Sequence, residues 1–90
     1  MPETTRTLHI LYFAWLRERV GRSEEELDVP DRVRTVADLI EHLASRDVAH
    51  ETAFQNRRTV RCAVNQEFAH PLTELQTGDE VAFFPPVTGG

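Results

Sequence analysis

The sequence closes on Gly89-Gly90, directly behind Val81-Ala82-Phe83-Phe84-Pro85-Pro86-Val87-Thr88. That ending makes the terminal carboxylate of Gly90 a candidate reactive group. Glycine has no Cβ, so a Gly-Gly tip can enter a channel too narrow for any other dipeptide and can take backbone conformations closed to other residues. Its carboxylate is also the least hindered that a polypeptide can offer to an incoming nucleotide. The plainer reading of a terminal Gly-Gly is fraying, because most chain ends are poorly ordered. The context argues for more than that. Phe83-Phe84 reads as the end of a buried strand, and Pro85-Pro86 keeps the exit extended, since each ring fixes φ at about −65° and disfavours helix before it. Pro85 to Gly90 fully extended spans about 20 Å, enough to reach into a neighbouring protein's pocket.

The other residue types that carry chemistry do not assemble into a site in the sequence. His9, His42, His50 and His70 are scattered without the spacing of metal ligands. Cys62 is the single cysteine and sits in the alternating run Val60-Arg61-Cys62-Ala63-Val64, where a small thiol reads as core filler rather than as a nucleophile. Ser23 and Ser45 lie in polar contexts without a nucleophile-elbow motif. Gly21 and Gly78 are isolated, so no phosphate-cradling loop is expected. Glu24-Glu25-Glu26 reads as a solvated edge. All ten basic side chains are Arg and none is Lys, which leaves no lysine for Schiff-base chemistry or for isopeptide attachment onto the chain itself. Any reaction involving this chain is therefore expected to use its tail, with the catalytic side chains supplied by other proteins.

Ninety residues make one small domain with a single modest core. A net charge of −5 without a dense basic run excludes a general nucleic-acid binder. A lone cysteine fits a reducing compartment, and no signal peptide or membrane-spanning run is present, so the expected location is the cytoplasm.

The elements that must position the tail follow from periodicity. Leu8 to Phe13 has strand length, with Leu8, Ile10 and Tyr12 on one face and His9, Leu11 and Phe13 on the other. Ala14 to Val20 reads as a short helix stopped by Gly21. Glu24 to Val29 reads as a half-exposed edge strand ending at Pro30. Thr35 with Asp38 has capping-box spacing, and Val36, Leu39, Ile40 and Leu43 make one apolar stripe at helical period. Residues 46–58 read as polar and irregular, with a helical turn near Thr52-Ala53-Phe54. Val60 to Val64 is a strand that turns at Asn65-Gln66-Glu67 and returns through Phe68-Ala69. Leu72 and Leu75 are expected to tuck under the sheet, Thr77-Gly78-Asp79 to turn, and Glu80 to Phe84 to form the last strand. Strands bracketing one main helix indicate an α+β fold, in the order of the ubiquitin-like β-grasp. One mixed sheet then packs on the main helix, with residues 1–84 as the domain and 85–90 as a free tail.

The sheet face away from the helix is predicted to be apolar, against the usual pattern of a half-buried antiparallel sheet. Leu11, Phe13, Ala63, Ala82 and Phe84, with Phe68, are expected to form one exposed patch beside the tail's exit. Such a patch on a small domain marks a partner surface. The alternative is that 46–58 covers it.

The run Asp79-Glu80-Val81-Ala82-Phe83-Phe84-Pro85-Pro86-Val87-Thr88-Gly89-Gly90, with Ala63-Val64-Asn65-Gln66 and Tyr12-Phe13-Ala14, resembles the small subunits of molybdopterin synthase. These are ubiquitin-like sulfur carriers of molybdenum-cofactor biosynthesis. The resemblance spans the whole chain in length and element order, and its specific part is the last dozen residues. It implies that an adenylyltransferase of the ubiquitin-activating type uses ATP to join the Gly90 carboxylate to AMP. A sulfur donor then makes a Gly90 thiocarboxylate, and the tail enters the large subunit to give sulfur to a cyclic pyranopterin precursor. It also implies that Gly89 is the slim neighbour of the reacting residue, that Phe13, Phe68 and Phe84 contact the large subunit together with the tail residues Pro85, Pro86, Val87 and Thr88, and that no cofactor is bound by this chain. The rival readings are a sulfur carrier of another pathway, thiamine biosynthesis for example, a ubiquitin-like protein modifier, and an interaction module with an incidental tail.

Overall fold

Residues 5–86 of the chain are described by the computed structural model; the expectations for Val87, Thr88, Gly89 and Gly90 lie outside the described residues. The first strand, β1 (Thr5–Tyr12), alternates as its sequence dictates, with Leu8, Ile10 and Tyr12 buried. It begins earlier than the apolar run, because Thr5 to Thr7 pair with Asp28 to Pro30 of β2 (Glu24–Pro30). Between them lies α1 (Trp15–Val20), which buries Leu16 and Val20 and ends on Gly21 with φ 89°, a left-handed stop that glycine alone takes without cost.

The main helix, α2 (Val36–Ala44), has the expected capping box: the Thr35 hydroxyl accepts from the Asp38 N–H, and the Asp38 carboxylate accepts from the Thr35 N–H. Its stripe of Val36, Leu39, Ile40 and Leu43 is buried against the sheet. Residues 46–58 are more regular than their polarity predicts. They form α3 (Val48–Ala53), capped by the Asp47 carboxylate on the His50 N–H, and a 3₁₀ turn at Arg57–Thr59. His50, Ala53 and Phe54 of this segment are buried, and α3 packs on α1 and α2.

Strands β3 (Arg61–Val64) and β4 (Glu67–Phe68) form a hairpin whose two turn residues, Asn65 and Gln66, have φ of 52° and 71°, as a type I′ turn requires. Asn65 also clamps the hairpin to the final strand, accepting from the Glu80 N–H and donating to Asp79. In the following loop Leu75 is buried while Leu72 is largely exposed, so only one of the two leucines expected under the sheet is there. The last strand, β5 (Glu80–Phe84), enters the sheet between β1 and β3, in the order β2-β1-β5-β3-β4. It runs parallel to β1 and antiparallel to β3. This is the β-grasp arrangement, with the first and last strands side by side at the centre. No helix among the described residues is long and apolar enough to cross a membrane.

Candidate functional site: the sheet face at the tail root

Strand register fixes what surrounds the tail's exit. Leu11 pairs with Ala82, Ala82 with Ala63 and Ala63 with Phe68, so four outward residues from four strands form one row. A second row follows at the strands' end. Arg61 pairs with Phe84, and the Phe13 N–H donates to the Phe83 carbonyl at 3.1 Å, which carries Phe13 alongside. The Phe68 and Phe84 rings lie 6.0 Å apart at 57°. The predicted apolar face is thus assembled, and Pro85 and Pro86 leave it half-buried. Phe13 and Phe68 are 49% and 85% exposed, so two large aromatic side chains of the face lie largely in solvent.

One member needs correction. Ala82 is only 9% exposed, because its short side chain lies between Leu11 and Ala63 and forms the floor of the face. Segment 46–58 does not cover the face: Phe54 packs on the opposite side, edge-on to Phe83 with ring centroids 5.0 Å apart. On the β2 side the apolar row is bordered by Glu24, the cross-strand partner of Leu11, whose carboxylate accepts from His9 Nε2 at 3.1 Å.

The underside of the face is held by a charged group that sequence reasoning placed in solvent. Glu25, in the middle of the supposed solvated edge, is buried. One carboxylate oxygen takes Arg46 at 2.8 Å and Arg22 at 3.4 Å; the other takes the Tyr12 hydroxyl at 2.7 Å and His50 Nε2 at 2.9 Å. His50 Nδ1 faces Asp47 Oδ1 at 2.8 Å. Ionised carboxylates only accept, so both ring nitrogens are satisfied together only when both donate. Burial by itself would raise the Glu25 carboxyl, but the hydrogen bonds from Arg46, His50 and Tyr12 overcome it and hold the group at about 2. Burial, reinforced by the bond to Glu25, pushes Tyr12 above the ordinary phenol range. The network ties β2 and α3 to the end of β1, where Tyr12 stacks on Phe83 with centroids 6.3 Å apart. The strand phase carried the missed signal: Glu25, Leu27 and Val29 share the inward face of β2.

Cys62 is buried beside Phe83 in the register, and burial pushes its thiol up to about 12. The thiolate is the reactive form, so Cys62 is packing. Among the described residues no buried group is placed as a nucleophile or general base, and the outer face lies where Pro85 and Pro86 leave the sheet.

Comparison with known proteins agrees with that geometry. The model of the ThiS family matches residues 10–90. The chain belongs to this family. The ThiS-family chain is 43% identical over 88 residues to the molybdopterin synthase sulfur carrier subunit of Escherichia coli K12, covering 92% of this chain and 99% of that one. It is 36% identical to the corresponding subunit of Haemophilus influenzae, with 92% and 99% covered. Among solved structures it is similar to small archaeal modifier protein 1 of H. volcanii, at 30% identity and a TM-score of 0.72, over 91% of this chain and 99% of that one.

Proposed function

We propose that this chain is the sulfur carrier of a molybdopterin synthase, with Gly90 as the atom-bearing end and the Leu11–Ala63–Phe68–Phe84 face as the docking surface for the large subunit. The observation that carries the reading is the near full-length identity to sulfur carrier subunits. An exposed aromatic face where the tail begins supports it.

The chemistry follows from the state of the terminus. A carboxylate with a pKa of about 3.5 is ionised at neutral pH and inert to nucleophiles. An adenylyltransferase attaches its oxygen to the α-phosphorus of ATP, and pyrophosphate leaves. Sulfide-level sulfur from a donor then attacks the acyl carbon, AMP leaves, and Gly90 carries a thiocarboxylate. Gly89 and Gly90 keep the tip thin, and Pro85-Pro86 lowers the entropy lost when the tail is ordered in the partner's pocket. There the thiocarboxylate sulfur bonds to the pyranopterin precursor, water cleaves the acyl–sulfur bond and returns the Gly90 carboxylate, and two loaded tails furnish the two sulfurs of a dithiolene. The chain binds no cofactor itself and works in the reducing cytoplasm, with residues 1–84 as the domain and 85–90 as the tail.

The test is intact mass spectrometry after incubation with ATP, the adenylyltransferase and a sulfur source. The expected product carries one sulfur in place of one oxygen at Gly90, and a chain extended by one residue remains unloaded and inactive in a reconstituted synthase. Full activity of an untrimmed extended chain overturns the assignment. The similarity to a small archaeal modifier protein favours one second reading, conjugation of Gly90 to lysines of other proteins. Isopeptide-linked adducts in cell extract would establish it, and unloaded Gly90 alongside such adducts would replace the carrier reading.

A further inference from the structure

Ala14 stands at the corner between β1 and α1 with φ 54° and ψ −135°, the dihedrals of the first central residue of a type II′ turn. The hydrogen bond of such a turn is present, the Leu16 N–H donating to the Phe13 carbonyl at 3.2 Å. Glycine is the residue that this position favours, because a Cβ crowds the backbone there. Ala14 is also the N-cap of α1, with no side-chain cap bond, where Ser, Thr, Asn, Asp or Gly is preferred. Its methyl is exposed, so core packing does not offset either cost, and glycine would serve the fold better on both counts.

What alanine supplies and glycine does not is restriction of the adjoining peptide units. The residue before it is Phe13, half exposed beside the tail root and fixed on its backbone side by the bond to Phe83. We infer that Ala14 is a positioning residue: its restricted corner holds Phe13 in the orientation that the large subunit meets, which reduces the ordering required on binding. The inference rests on the reading of this face as the large subunit's docking surface.

Titration calorimetry of the whole chain against the cognate large subunit tests it, using wild type, Ala14→Gly, Phe13→Ala and the double variant, with a thermal melt of each. Ala14→Gly should raise the thermal midpoint by about 4 °C and yet weaken association by about fivefold, the size of coupling that neighbouring residues show. In the Phe13→Ala background the glycine should cost no further affinity. If Phe13→Ala weakens binding and Ala14→Gly does not, or if the midpoint falls, the role of Ala14 is overturned while the docking face stands. Equal losses in both backgrounds also overturn it, because the methyl then acts without Phe13. A Phe13→Ala variant that binds as wild type overturns the docking face itself.

Discussion

Glu25 shows how one carboxylate can be both costly and necessary. Its side chain is 5% exposed and takes hydrogen bonds from Arg46, Arg22, His50 and Tyr12, so removing its charge leaves the buried donors of His50 and Tyr12 without their ionised partner. Glu25→Gln should lower stability by about 3 kcal/mol, the scale of breaking a buried pair by removing one partner, as measured by urea denaturation at neutral pH. The pH dependence has a definite sign. The carboxyl is lowered from 4.5 to about 2 on folding, so the unfolded chain takes up its proton first as acid is added. The group's contribution is therefore whole above pH 4.5 and lost as pH falls towards about 2, again about 3 kcal/mol in total. Wild type should show that added slope over Glu25→Gln in the same window; parallel curves would remove Glu25 from the account of acid stability. At this scale the sequence was only partly readable. Cys62 as packing followed from its neighbours, whereas His50 could be recognised as a core residue only by pairing it with a glutamate 25 positions earlier, a separation that no local pattern encodes.

Elements were legible in proportion to how local their stabilisation is. The α2 helix announces itself, because its cap and its apolar stripe lie within one continuous stretch. Thr35→Ala should cost about 1 kcal/mol through loss of the cap, seen as a thermal midpoint about 4–8 °C lower, with the sheet's own signals unchanged; an unaltered midpoint would mean that the Asp38 half of the box suffices. Helix α3 is six residues long, too short to show a period, and the side chain it buries in the ionic network is a histidine. Its one local signal is the Asp47-x-x-His50 cap. The central strands are legible because β1 and β5 alternate with large apolar residues, and the element order predicts their parallel pairing. The sequence at Ala14 predicts the start of a helix; nothing in its residue type marks a turn that favours glycine.

For the molecule as a whole, the two faces of one sheet differ: the inner one is buried with the stripe of α2, and the outer one, the proposed docking face, carries exposed aromatic side chains. Phe84→Arg should weaken association with the large subunit by about thirtyfold or more, since it places an unpaired charge within an apolar contact, while circular dichroism and the thermal midpoint stay close to wild type. Unchanged affinity would move the docking surface elsewhere. The composition of this face was legible from alternation alone, because a period of two assigns every side chain once the inward set is known. Exposure was not: a small residue such as Ala82 disappears between its neighbours, and only the register reveals which neighbours those are.

The insertion of β5 between β1 and β3 has a consequence for biosynthesis. Until Glu80–Phe84 has been translated and has cleared the ribosome, β1 and β3 have no common neighbour, and their non-local pairing must wait. A truncated product that stops before this strand cannot close its sheet, and the row Leu11–Ala82–Ala63 on its outer face cannot form. The strand that ends at the tail is therefore also the one that completes the sheet, so a chain too short to present its tail also lacks the finished outer face.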